Sequence, residues 1–378
     1  MINSFYINNF RLFKQLTINK LGMVNLIVGK NNSGKSCLLE AIRIYCANAS
    51  SNILFDLIRE RGEDWEIQTQ RRKDQAIQEI ENPLRYLFYG YRFPKIGEDS
   101  IEIGLSSSPQ ERLKLNLRAY KFIESEESRI FSRIEDKDSI ENELDDAELV
   151  IELEENNKTK PIVRLNREPR VYLNKLNRVR YSYRSDSEIE MNVQVVPTKH
   201  INDEKLGSLW DNINIHPHLR KEVFEGLKLI DPKIEEVVLI GRERNINPIL
   251  IYDNIDERIP LKSMGDGMTH LFHVILSLVN SQNGLLLIDE FENGLHYSIQ
   301  PEIWNLVFQL AKKLNVQIFA TTHGWDCVSA FQKASQHQEI DGVLLHLGHS
   351  IKEKNKVIAT EYDRDELQLA SQADLEVR

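Results

Sequence analysis

Leu26-Ile27-Val28-Gly29-Lys30-Asn31-Asn32-Ser33-Gly34-Lys35-Ser36 is the stretch that decides the fold of this chain. A β-branched run ends in Gly-x-x-x-x-Gly-Lys-Ser, and an apolar pattern of helical spacing follows at once in Leu38, Leu39, Ile42 and Tyr45. Strand, glycine loop and helix in that order build a cradle for a nucleoside triphosphate. The glycines let backbone N–H groups turn inward onto phosphate oxygens without a Cβ in the way. The helix start behind Ser33 adds unpaired N–H donors and the positive end of its dipole. Lys35 is placed to reach the β- and γ-phosphates, and the Ser36 hydroxyl to hold Mg²⁺. What the loop does with ATP has to come from the rest of the chain.

The 378 residues suffice for one large or two modest domains, and 28% charged with 41% apolar residues is ordinary for a globular protein. The net charge of −10 repels nucleic acid and anionic membrane, so any DNA contact needs a local basic patch. Cys37, Cys46 and Cys327 have no metal spacing, and their odd number argues against a disulfide framework. The longest apolar run, near Phe272 to Val279, falls short of the roughly 18 residues of a membrane span. With no N-terminal signal pattern, a cytoplasmic protein with no membrane partner is expected.

In chain order, residues 1–28 read as three short strands and the helix behind the loop runs to about Ala47. Ile53 to Phe88 is helical and highly charged, with a break at Asn82-Pro83. Strands are expected at Ile101 to Leu105, Leu113 to Leu117 and Leu149 to Leu153. Between them, residues 124–146 are dense in acid and read as a solvated helix or a disordered insertion. The sign then reverses: Lys158, Lys160, Arg164, Arg167, Arg170, Lys175, Arg178, Arg180 and Arg184 interleave with Tyr172, Tyr181 and Tyr183. Such a ribbon suits a phosphodiester backbone and stacked bases, or it is an exposed sheet face balancing its acidic neighbour. From Val193 onward helices and strands alternate, which implies a parallel sheet covered by helices.

Gly284-Leu285-Leu286-Leu287-Ile288-Asp289-Glu290 is an apolar strand ending in two acids. A buried parallel strand reads as continuous apolar residues, and α/β sheets bind ligands at the C-terminal ends of their strands. Asp289 is placed to complete the Mg²⁺ shell and Glu290 to polarise an attacking water as general base. His323 closes the strand that starts at Val316, where it can meet the γ-phosphate or that water. Ser263-Met264-Gly265-Asp266-Gly267 opens another helix, so Ser263, Gly265 and Gly267 form a second anion site. One nucleotide does not need two such sites on one subunit; two subunits facing head to tail would need both. The other reading makes these glycines a turn before a core helix.

These motifs, in this order, resemble the ABC-type ATPase heads of the RecF and structural-maintenance-of-chromosomes (SMC) group. They look most like the OLD (overcoming-lysogenization-defect) ATPases and their stand-alone relatives, called AAA15 or AAA21. Asn9-Phe10-Arg11-Leu12-Phe13 looks like the opening strand turn of that group, and Gly29 to Ser36 like its Walker A motif. Ser263 to Gly267 looks like the signature motif, Asp289 to His296 like Walker B plus D-loop, and Thr321-Thr322-His323 like the switch histidine. Phe291 and Tyr297 stand where prolines are common, and no Q-loop glutamine can be placed.

The resemblance implies an α/β ABC-ATPase head: a P-loop parallel core sheet, an N-terminal antiparallel β subdomain and an inserted α+β arm region. It divides the chain into 1–123, 124–192 and 193–378, the outer two forming the head. The expected ATP-binding set is Arg11, Gly29, Asn31, Asn32, Ser33, Gly34, Lys35, Ser36 and Cys37. Lys35, Glu290 and His323 are the expected catalytic residues, Ser36 and Asp289 the metal ligands. Ser263, Gly265 and Gly267 would act in trans, and Asn293, Gly294, Leu295 and His296 form the D-loop. Only about 55 residues follow His323. The Toprim nuclease of OLD proteins is therefore expected on a separately encoded partner, several relatives of this kind serving anti-phage defence. A homodimer or higher homo-oligomer is expected, with DNA a candidate partner. The alternative is a DNA-binding or scaffold module in which ATP is a structural switch. A GTPase is disfavoured by the lack of an Asn-Lys-x-Asp motif.

Overall fold

The structure, a computed structural model, describes residues 1–63, 82–124, 129–134, 147–165, 171–173, 179–181, 191–198, 201–241, 246–252, 258–350, 353 and 356–367. β1 (Phe5–Phe10), β2 (Phe13–Ile18) and β3 (Val24–Val28) lead into the glycine loop, and α1 (Lys35–Cys46) and α2 (Ser51–Glu60) follow it. Next come β4 (Ile101–Gly104), β5 (Leu113–Glu124), β6 (Arg129–Arg133), β7 (Ala147–Glu155), β8 (Lys158–Arg164), β9 (Val171–Leu173) and β10 (Val179–Tyr181). The second half opens with β11 (Val193–Val196), α3 (Asp203–Ile215), α4 (Pro217–Lys228), β12 (Ile234–Ile240), β13 (Asn247–Tyr252) and β14 (Ile259–Pro260). It ends with α5 (Asp266–Val279), β15 (Leu285–Ile288), α6 (Gln300–Leu314), β16 (Gln317–Thr321), α7 (Trp325–Ser335), β17 (Gly342–His349) and β18 (Val357–Tyr362).

Six strands build the core sheet in the order β11-β15-β16-β3-β17-β18. The first five are parallel, and β18 closes antiparallel on β17. Successive side chains of a strand point to opposite faces, which gives the sheet two cores. Val24, Leu26 and Val28 of β3 join Ile288, Ile318 and Leu344 under helices α3 to α7. Ile27 joins Leu287, Phe319 and Leu345 on the other face, with α1, α2 and the antiparallel sheet above them. From Met268 to Val279 every residue of α5 is buried, including Thr269, His270, His273 and Ser277 among its apolar residues.

The antiparallel sheet runs β2-β1-β4-β5-β7-β8, with β6 on β5. β5 is longer than its apolar run suggests because β7 pairs with it from Lys114 to Lys121. Residues 129–133 are a strand, not the helix or loose insertion expected across 124–146. Their backbone pairs with Tyr120 to Glu124, and Ile130 and Phe131 at their centre are residue types that strands favour. Most of the acidic run lies outside the described residues. β7 and β8 continue the N-terminal sheet although they fall within 124–192. Of the basic stretch, Lys158, Lys160 and Arg164 lie on β8, and β9 pairs antiparallel with β10 with Tyr172 and Arg180 in register. Arg167, Arg170, Lys175, Arg178, Tyr183 and Arg184 lie outside the described residues. The helical reading of 53–88 holds for α2, the break at Asn82-Pro83 is a 3₁₀ turn capped by the Asn82 side chain, and 64–81 are not described.

Candidate active site

Sheet order creates the site. β16 lies between β3 and β15, so the glycine loop and the two acids leave the same sheet edge two strands apart, about 10 Å. The intervening strand ends in Thr321-Thr322-His323, which puts the histidine between them. Gly34, the turn into α1, has φ +96°, and a Cβ there would lie 2.6 Å from the Phe13 ring. The β2 aromatic, as much as any ligand, thus requires a glycine at this point.

Five expected residues converge. The Lys35 ammonium donates to the carbonyls of Gly29 (2.7 Å) and Lys30 (3.3 Å) and lies 3.2 Å from His323 Nδ1. An ammonium has no lone pair, so Nδ1 accepts and the ring proton is on Nε2. That Nε2 is 3.7 Å from Glu290 Oε1. Ser36 Oγ donates to Asp289, 3.1 Å from Oδ2 and 3.3 Å from Oδ1. Glu290 sits at φ +57°, a strained setting for a residue with a side chain, and such settings gather at functional sites.

Two residues hold the acids in place: Thr321, read from the sequence only as part of the histidine motif, and Thr198, which stands in no motif. Thr321 Oγ1 donates to Asp289 Oδ1 (2.7 Å) and accepts the Glu290 N–H (2.8 Å), so one hydroxyl orients the Asp289 carboxylate and anchors the Glu290 backbone. Thr198, just past β11, donates to Asp289 Oδ2 (3.2 Å). Its signal in the sequence was the end of the strand at Pro197, which topology places beside β15.

Burial pushes the Lys35 ammonium below its ordinary pKa, against the pull of Asp289, Glu292 and Glu290. A phosphate would offer it stronger, charge-assisted acceptors than the two carbonyls. The Ser33 hydroxyl is buried in the loop with no hydrogen-bond partner among the described residues, a donor left for a ligand. Asn31 and Asn32 are exposed on the loop. A hydroxyl and a carboxylate, Ser36 and Asp289, form a hard oxygen donor set that suits Mg²⁺.

Arg11 is not presented to this site. It is 1% exposed, and its guanidinium is held by Glu40 (Nε to Oε2, 2.5 Å) and Glu63 (3.0 Å) and lies 3.4 Å from the Tyr86 carbonyl. A buried guanidinium needs such anions, and they turn it away from a ligand. Arg11, expected among the ATP contacts, here braces the end of β1 against α1. The Cys37 thiol is likewise buried, its pKa pushed up to about 11, which leaves only its backbone for a nucleotide. Ser263, Gly265 and Asp266 form an exposed loop, and among the described residues the Ser263 side chain makes no hydrogen bond to the converging five. That loop abuts the D-loop, where a Cβ on Gly267 would lie 2.1 Å from the Gly294 carbonyl oxygen. Asn293 Nδ2 donates to the Thr198 carbonyl (3.1 Å), Leu295 is buried, and His296 is exposed with Nδ1 2.8 Å from Ser298 Oγ. Phe291, in place of the common proline, stacks on Trp304 at 3.8 Å and seals the core beneath the acids.

A parallel sheet with a phosphate loop, a strand-end Asp-Glu pair and a histidine on the strand between them defines an ABC-type ATPase. Over residues 24–323 the chain matches the family described as "AAA domain, putative AbiEii toxin, Type IV TA system", and it belongs to that family. It is 24% identical over 357 residues to the ATP/GTP phosphatase of Helicobacter pylori, covering 90% of each chain. It is 38% identical over 61 residues to an uncharacterized protein of Methanocaldococcus jannaschii, 16% of this chain and 28% of that one. Among solved structures it is similar to the SmcHead bound to the C-winged helix domain of ScpA, with TM-score 0.49, 11% identity and coverage of 97% and 99%. The Smc head domain with an extended coiled coil, derived from Pyrococcus furiosus, gives TM-score 0.47, 10% identity and coverage of 99% and 99%. No helix among the described residues is long and apolar enough to cross a membrane.

Proposed function

We propose that this ATPase is Mg²⁺-dependent and works as a homodimer or higher homo-oligomer, with ATP held between Lys35 of one subunit and the Ser263 loop of another. The observation that carries this is the meeting of Lys35, Ser36, Asp289, Glu290 and His323 at one sheet edge, while the Ser263 loop stays exposed and apart from them. Mg²⁺, held by Ser36 and Asp289, would neutralise charge on the phosphates. Lys35 binds the phosphates, Glu290 takes the proton of the attacking water, and His323, its proton on Nε2, donates to the γ-phosphate or that water. Thr321 fixes both acids while this happens.

Replacing Glu290 with Gln should leave nucleotide binding intact and slow phosphate release by about 10²–10⁴-fold, as for loss of a general base. Lys35→Ala should abolish nucleotide binding. Ser263→Arg should prevent ATP-dependent dimer closure in analytical ultracentrifugation; closure of that variant would sink the trans site. Comparing ATP with GTP as substrate settles base choice, since the Helicobacter pylori relative's name covers both.

The biological reading is a nucleotide-driven sensor or motor, tied to DNA or to anti-phage defence, that works with a separately encoded Toprim-like effector in the cytoplasm. The family's description, a toxin–antitoxin system, supports action in a pair. The division at 1–123, 124–192 and 193–378 belongs to the same proposal, the middle part carrying the basic ribbon. Assaying nucleic-acid cleavage by this protein copurified with the product of the adjacent reading frame tests the pairing. Loss of salt-dependent DNA binding on neutralising Arg178, Arg180 and Arg184 tests the ribbon.

A further inference from the structure

The turn that leaves the Asp-Glu pair is stitched residue by residue to the end of β16. Glu290 N–H reaches Thr321 Oγ1 at 2.8 Å, and Phe291 N–H reaches the Thr321 carbonyl at 2.9 Å. The third stitch is a side chain. Glu292 Oε1 accepts from the backbone N–H of His323 at 2.7 Å and from that of Gly324 at 3.1 Å. One carboxylate oxygen therefore bridges two consecutive N–H groups, one of which belongs to the histidine that faces both Lys35 and Glu290.

We propose that Glu292 is the positioning residue of the active-site histidine, fixing the His323 backbone so that its ring stands between the Lys35 ammonium and the Glu290 carboxylate. This rests on the ATPase reading of His323 given above. The same contact also serves as a cap. α7 begins at Trp325, its N-cap Gly324 has no side chain to satisfy the first N–H groups, and a carboxylate is favoured at a helix N-terminus. Two observations make it more than a cap. Thr322 Oγ1 already accepts from the Gly324 N–H at 3.0 Å, so the shorter Glu292 bond is spent on His323. The other oxygen, Oε2, is buried with no hydrogen-bond partner among the described residues. A buried carboxylate oxygen left unpaired is costly, and a neutral hydroxyl or amide would cap the helix without that cost. The negative charge instead lies close enough to Lys35 to counter the effect of burial on it. Glu292 thus links the ammonium, the histidine and the turn that carries the general base, and ties the ends of β15 and β16 together.

Steady-state phosphate release and fluorescent-nucleotide binding by the full chain test this with Glu292→Ala, Glu292→Gln, Glu292→Asp, His323→Ala and the double variant Glu292→Ala/His323→Ala. A displacement of a catalytic group by about 1 Å costs on the order of 100-fold in rate. Glu292→Ala should therefore lower kcat by about 10- to 100-fold and leave KM within threefold. Gln keeps the length and the acceptor oxygen that hold the His323 backbone and should recover most of the rate, the remaining deficit reporting the charge lost beside Lys35, whereas Asp, one methylene short, should behave like Ala. The double variant should be no slower than His323→Ala alone, a non-additivity that loss of helix capping does not produce. Should Glu292→Ala fail to fold, the contrast between Gln and Asp decides. The inference is overturned if His323→Ala is impaired while Glu292→Ala turns over normally, if the two losses multiply, or if Asp rescues better than Gln. Normal turnover by His323→Ala itself would instead remove the underlying reading of the histidine.

Discussion

Replacing Gly267 with alanine sets two effects of opposite sign against each other. Gly267 is the second residue of α5 and its φ is not positive, so backbone preference favours alanine by up to about 1 kcal/mol. The space does not. The new Cβ would lie 2.1 Å from the Gly294 carbonyl oxygen, 2.9 Å from its carbon and 3.6 Å from Leu295 N, all of them backbone atoms. Relief needs a withdrawal of the 293–296 turn by about 1 Å or more to reach ordinary contact distance. The turn is tethered by Asn293 to the Thr198 carbonyl and by Gln300 to the Leu295 carbonyl, and its Leu295 side chain is buried. Overpacking of this kind costs about 1–3 kcal/mol, and a strained tether adds up to about 1 kcal/mol. The net expectation is a loss of about 2 kcal/mol and a fall of roughly 2–5 °C in apparent Tm. Because the Ser263 loop and the D-loop would shift together, turnover should drop at least about tenfold. Nucleotide affinity, set by Lys35 and Ser36, should stay within threefold. Thermal unfolding by circular dichroism, fluorescent-nucleotide titration and phosphate release read the three effects. A Gly267→Ala protein that melts at or above the wild-type temperature and hydrolyses ATP normally would refute the reasoning.

Arg11→Met should destabilise by about 3 kcal/mol, because it leaves buried Glu40 with Arg61 alone as counter-ion, and should change nucleotide affinity little; a weakened affinity at full stability would return Arg11 to the nucleotide. Burial, with Arg43 nearby, lowers Lys205 from 10.5 to about 8, so its charge costs folding up to about 3 kcal/mol at any pH below 8, and the cost fades as pH rises from 8 to 10.5. Lys205→Met should therefore raise the Tm at pH 7 and lose that advantage by pH 10.5, and an advantage that grows with pH in a melting series would contradict the assignment. Thr198→Val removes one of the three hydroxyl donors to Asp289, so the Mg²⁺ concentration for half-maximal turnover should rise several-fold; an unchanged metal titration would mean that Thr198 only packs.

Local sequence carried the elements whose signals are local. The loop at Gly29 to Ser36, the apolar strand before Asp289 and the alternating last third are each written within a dozen or so residues, and the sheet confirms their types. The strand at residues 129–133 escapes such a reading because a surrounding excess of charge dominates the composition of the segment. What made it a strand is β5, a partner that composition does not mention.

The side-chain ties of the site were illegible for the same reason, magnified by distance along the chain. Thr198 meets Asp289 across 91 residues and Lys35 meets His323 across 288, so no periodicity or spacing rule can connect them. Only the order of strands does, since β11, β15, β16 and β3 deliver four separate segments to one edge. Arg11 shows the converse. A motif reports which residue type stands at a position, but whether a guanidinium faces phosphate or two buried carboxylates is decided by Glu40 and Glu63, which the motif does not contain. Phe291 completes the point from the other side. It stands where a proline is common, and Trp304, thirteen residues on, gives it a ring to stack upon beneath the two acids.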